Sequence, residues 1–223
     1  MSERTVAEPG DMDTKRMTRR TRWAHVAVGA AAGLAWAGAL RAWMAELSGG
    51  MSSFTWGTFE GVLLPGLVVG VAFGWASSVG PAASARERRM LRWCAAAPLA
   101  FAIAPVLRPG ALVDLLTQGL GGGAVLVALT AIAGGYALGG GRRIWARVIC
   151  GVLALGVSVA GALFAGPLVR GPALALDSPR GAWLAVFDLA LMLVLIAASS
   201  APFRRLAATA ASDGRTSQTG RAS

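Results

Sequence analysis

Inside lipid a backbone has no water to satisfy its N–H and C=O groups, so a segment that crosses must satisfy them itself. This chain is apolar over 24–44, 57–77, 91–107, 120–140, 144–169 and 182–201. Each stretch is close to the 20 or so residues that a helix needs to cross about 30 Å of hydrocarbon. The pattern predicts an all-α fold, a polytopic transmembrane helical bundle of about six helices.

Arginine tests the count. The first 22 residues hold Arg4, Lys15, Arg16, Arg19, Arg20 and Arg22, and the second connection holds Arg86, Arg88, Arg89 and Arg92. The fourth holds Arg142, Arg143 and Arg147, and the carboxyl tail Arg204, Arg205, Arg215 and Arg221. Only Arg41, Arg108, Arg170 and Arg180 fall on the opposite side. Basic loops stay in the cytoplasm, so the asymmetry predicts both termini cytoplasmic in a multi-pass protein of the cell (cytoplasmic) membrane.

Composition supports one membrane domain. Mean hydropathy is +0.59 and 14% of residues are charged, against about 25% in soluble proteins. No polar stretch is long enough to fold alone. Residues 1–22 read as a disordered basic tail, 23–203 as the transmembrane domain and 204–223 as a second disordered tail. A net charge of +10 is not read as nucleic-acid binding, because the arginines sit at span ends. The implied partner is a lipid bilayer with anionic headgroups on the cytoplasmic side. Cys94 and Cys150 read as apolar thiols in a reducing compartment.

Local signals mark the ends. Ser84-Ala85-Arg86-Glu87 has capping-box spacing, and Ser178-Pro179 reads as N-cap and first helical residue. Trp23, Trp43, Trp56, Trp75, Trp93, Trp145 and Trp183 fall near span ends, where indole suits the headgroup layer. Pro65, Pro98 and Pro105 should bend their helices. The segment 108–119 is too short to span and reads as an interfacial turn or a re-entrant loop. Thr18-Arg19-Arg20 before an apolar run raises a twin-arginine signal as an alternative. Thr21-Arg22-Trp23 matches such signals poorly.

Two patterns bear on function. Gly29 and Gly33, and then Gly66, Gly70 and Gly74, recur every fourth residue, the spacing that lets two helix backbones approach. They read as helix-packing residues, either within the chain or toward a membrane protein partner or second copy. A charge at mid-bilayer costs about 2.5–3.5 kcal/mol on insertion scales, so Arg41, Glu60, Arg108 and Asp188, all in the outer half, form a candidate ligand-binding cluster or an ion-pair network.

No catalytic constellation, metal site or cofactor motif is evident. His25 is the only histidine, and Gly121–Gly123 and Gly139–Gly141 lack the Gly-Lys-Ser/Thr ending of a phosphate loop. The reading therefore leans away from an enzyme. It favours transport or small-ligand binding through the outer polar cluster. A non-catalytic membrane subunit or assembly factor packing through its glycine faces is the alternative, and a membrane enzyme on lipid-linked substrates the third.

Arg41-Ala42-Trp43-Met44, Leu47-Ser48 and Phe54-Thr55-Trp56-Gly57-Thr58 together resemble a pattern in uncharacterised small polytopic integral membrane proteins of actinobacteria. The likeness covers residues 41–75, and here Gly57 follows Trp56 directly where the pattern has an intervening residue. The resemblance implies a class of small membrane protein and no activity. It directs attention to Arg41, Met44, Trp56 and Thr58.

Overall fold

The computed structural model describes residues 9–49, 56–106, 122–141 and 143–219, and every regular element among them is helical. Helix α1 runs over Pro9–Ser48 and closes at Gly49, whose φ of +60° is open to glycine at little cost. The Gly49 N–H donates to the carbonyls of Ala45 at 3.2 Å and Glu46 at 3.3 Å. The Arg170 guanidinium lies over the Gly49 α-carbon. It thus meets the carbonyl end of α1, where the helix dipole favours a cation.

Proline decides the next breaks. The short α2 (Trp56–Thr58) opens into a π-helical turn over Phe59–Leu63 before α3 begins at Leu64–Ser78. Pro65 has no N–H to give the carbonyl four residues back and its ring crowds that carbonyl. The turn widens accordingly, and the Leu64 N–H reaches Phe59 O instead. Pro98 acts more sharply: the stretch 91–107 is divided into α4 (Ala85–Ala96) and α5 (Leu99–Val106) by a turn at 97–98.

Three further helices complete the described residues: α6 (Gly122–Gly139), α7 (Ile144–Arg170) and α8 (Pro179–Thr219). A 3-10 turn at Gly171–Leu174 links the last two. Ser178 caps α8 by accepting from the Gly181 N–H at 3.0 Å, with Pro179 in the first position. Among the described residues, four segments are long and apolar enough to cross a membrane: Arg19–Ser48, Trp56–Ser78, Ile144–Leu174 and Pro179–Ser212. Gly123–Gly139 is apolar but shorter.

Contacts at the helix ends gather the basic clusters. Arg22 pairs with Glu87 at 3.4 Å, joining α1 to the first turn of α4. Arg205 Nη2 donates to Ser77 O at 2.6 Å, tying α8 to the end of α3. Arg147 Nε donates to Ala137 O at 2.9 Å, capping α6 from α7, and the Arg204 stem packs near Gly139. These groups therefore share one end of the bundle. Glu46–Arg180, Gly49–Arg170 and Gly166–Leu174 mark the other. Trp23 and Trp43 lie 20 residues apart on α1, about 30 Å at 1.5 Å per residue and so one hydrocarbon thickness.

The backbone is helical from Pro9 and as far as Thr219, where the sequence suggests disordered tails. The carboxyl-terminal side of α8 is held by packing. Thr209 is buried, Leu206 packs on the Ala76–Val79–Leu91 cluster, and Ser212 Oγ donates to Pro81 O at 3.2 Å.

The capping box on α4 is present in both directions. The Glu87 N–H donates to Ser84 Oγ at 3.2 Å, and the Ser84 N–H donates to Glu87 Oε2 at 2.9 Å. That Ser84 N–H is the largest influence holding the Glu87 carboxyl below its ordinary value, followed by the opposing effect of burial and then the Ser84 hydroxyl and Arg22. A lowered carboxylate stabilises the fold fully above the unfolded glutamate value of about 4.3. Its contribution is lost as pH falls through the lower folded value. Exchange protection of the Ser84 amide, corrected for intrinsic rate, is expected to drop across that window, and Glu87→Gln should flatten the dependence.

Candidate functional site

Asp188 stands among Val186, Phe187 and Leu189 on α8, nine residues after Pro179. Two tryptophans of α1 fix its depth. Trp43 Nε1 donates to Leu184 O at 3.1 Å, and Trp36 Nε1 donates to Leu191 O at 2.9 Å. Asp188 lies between those two carbonyls, one turn from each, and is 6% exposed.

Its carboxylate points at α7. A β-carbon added at Gly161 would lie 3.1 Å from Asp188 Oδ2, so glycine leaves the room that the carboxylate uses. No described residue donates a hydrogen bond to Asp188 or forms an ion pair with it. In a spanning helix that is an unusual place for an acid, because removing one charge from water without a partner is strongly unfavourable.

The other predicted members are placed differently. Arg41 is half-buried on α1 and already engaged. Glu60 is exposed on the π turn. Neither Glu60 nor Asp188 pairs with Arg41, and Arg108 and the segment 108–119 lie outside the described residues. Helix register nevertheless puts Arg41, Glu60 and Asp188 in the same half. The glycine crossings match α1 against α3, and the tryptophan bonds match α1 against α8.

The predicted packing glycines meet one another inside the chain. A β-carbon on Gly33 would lie 2.8 Å from the Gly70 α-carbon and closer still to Gly66 O. One on Gly29 would lie 2.8 Å from the Gly74 α-carbon. The α1–α3 contact is thus backbone against backbone, with Gly66 set against Ala37 and Gly74 against His25 O. In α7, Gly151, Gly161 and Gly166 face Ala137, Asp188 and Leu174 respectively, while Gly156 has nothing near. Steps of five residues turn a helix by about 140° and line no single face.

Three features were not singled out from sequence. Trp36 is buried against Phe101, ring centroids 5.3 Å apart, rather than anchored at an interface. Gly134, Gly135 and Gly139 form a second close crossing, against Ile196, Ser199 and Ser200 of α8. There Ser199 Oγ donates to Ala131 O at 2.5 Å. Glu46 and Arg180 form an exposed ion pair between α1 and α8.

Among the described residues no three of His, Cys, Asp or Glu lie together as a metal ion requires, and Cys94 and Cys150 are free thiols. No family model matches the chain, nor does any curated protein or solved structure.

Proposed function

We propose that this is a small multi-pass protein of a bacterial cytoplasmic membrane, with six spans and both termini inside. It moves or binds a small ligand together with a proton or monovalent cation taken up at Asp188. One observation carries the reading: a carboxylate in a spanning helix, on a residue 6% exposed, with no partner among the described residues and a glycine opposite. Intramembrane acids so placed mark proton and ion pathways in transport proteins. Arg41, at the same depth, supplies fixed positive charge for an anionic ligand group, and Glu60 sits where such a ligand would enter.

The test is flux in sealed vesicles. Protein reconstituted with a pH-sensitive or a sodium-sensitive dye inside, under an imposed potential, is expected to carry protons or sodium. Asp188→Asn, which keeps the side chain's shape, should reduce that flux to the level of protein-free vesicles while eluting as the same monodisperse species. Equal flux through wild type and Asp188→Asn contradicts the proposal.

A subunit or assembly role keeps less support. Its docking stripe, Gly66–Gly70–Gly74, is already covered by α1. A partner has to use another face, such as the exposed Val148, Val152, Leu155 and Val159 side of α7.

A further inference from the structure

Helices α1 and α8 touch where Trp36 meets Leu191 O, and a gap opens between them from there toward the basic end. Between them, floored by α3, lies a cavity of about 870 Å³. That is within the roughly 300–1,000 Å³ of small-molecule sites. Its walls are Val28 and Gly29 from α1, Gly70 and Phe73 from α3, and Val194 and Ala198 from α8. It is open at the side: Val28 is 69% and Val194 59% exposed at its rim. Trp36 and Phe101 close the end at mid-bundle, and His25, Arg204 and Arg205 stand at the basic end.

Depth and charge select the occupant. From Trp36 to His25 is 11 residues, about 16 Å of helix and so half of the ~30 Å core. The cleft is one leaflet deep. A partner's spanning helix needs a groove that continues through both leaflets, and this one is shut by the Trp36–Leu191 contact. A lipid needs an apolar slot ending in a charged mouth at headgroup level. The mouth is positive: Arg204 is exposed and pairs with no described carboxylate, Arg205 spends one nitrogen on Ser77 O, and Glu87 is occupied by Arg22. His25 turns Nδ1 to Thr21 O at 2.8 Å, which leaves Nε2 for another group.

We propose that this cleft binds one anionic phospholipid of the adjoining leaflet, with an acyl chain between α1 and α8 and the phosphate at the Arg204–Arg205 mouth. The site is independent of Asp188. It uses the other half of the bundle and requires only that the basic end face an anionic leaflet.

The experiment is native mass spectrometry of the full chain in mild detergent, offered phosphatidylglycerol and phosphatidylcholine with identical acyl chains. One phosphatidylglycerol per protein is expected to be retained, at least about fivefold over phosphatidylcholine, the discrimination worth roughly one arginine at a membrane surface. Arg204→Gln alone should lower that ratio. Ala198→Phe, which fills the slot, should remove both adducts. Because the exposed Arg204 carries no structural bond, its variant reports on binding even if the Ala198 variant fails to fold. Equal retention of the two lipids by wild type overturns the proposal. So does an unchanged ratio in Arg204→Gln, displacement of the lipid by millimolar inorganic phosphate, or a stoichiometric protein cross-linked through position 28 or 194.

Discussion

Gly70→Leu is expected to prevent folding of the bundle. A single added carbon at Gly70 would lie 2.9 Å from the Gly33 α-carbon and nearer still to Gly29 O, and leucine adds three more. Overfilling a packed site costs about 1–3 kcal/mol where side chains can move aside. Here both obstacles are backbone, so α1 and α3 have to separate along their whole crossing. The loss should stand at the top of that range or beyond. The control lies on α1: a β-carbon at Gly38 meets nothing within 4 Å. Gly38→Ala should be neutral or gain up to about 1 kcal/mol from helix propensity. Thermal unfolding in detergent, followed by loss of the monodisperse species, distinguishes the two. Equal stability of Gly70→Leu and wild type means that α1 and α3 do not cross as described.

The second large effect is at Trp36. Its indole is 9% exposed, packs at a tilt of 59° against Phe101 and donates to Leu191 O. Removing the ring in Trp36→Ala leaves a cavity at the meeting of α1, α5 and α8, with a loss of about 3–5 kcal/mol. Trp36→Phe keeps an aromatic ring in place and forfeits the N–H. Polar contacts between membrane helices average about 0.6 kcal/mol, so that variant should lie near wild type. The Leu191 carbonyl is in a helix and retains its backbone partner, which is why losing the indole donor is tolerated. Unfolding midpoints for the two variants that coincide would show that the ring's bulk contributes nothing.

Some of this was readable before any coordinates. Gly29/Gly33 and Gly66/Gly70/Gly74 stand out because a fourfold repeat of the smallest residue has one geometric use, close backbone approach. Ser84–Glu87 and Ser178–Pro179 were legible because caps are local chemistry. Pro98 announced a bend because it lacks an N–H, and the chain turns there outright between α4 and α5. Asp188 drew attention as the one acid deep in the sixth apolar stretch.

What was not legible depends on neighbours. Trp36 escaped because nothing nearby in sequence reveals a carbonyl on α8 within reach. Gly135 and Gly139 were hidden in a run rich in alanine and glycine, where their spacing has no contrast. Leu206 and Thr209 followed Arg204-Arg205, which looked like the end of a span, although they pack under the α3–α4 connection. The cleft was invisible because its concavity arises from the divergence of two helices, and no residue encodes that alone.

The claim on which all of this rests is that every basic cluster lies on the inner side of one membrane. Cysteine labelling in intact cells, in a background lacking Cys94 and Cys150, tests it directly. Cysteines at Ser84 and Ser223 are expected to resist a membrane-impermeant maleimide until the cells are permeabilised, while one at Asp177 reacts at once. Labelling of position 84 from outside, or opposite behaviour of positions 84 and 223, contradicts the account.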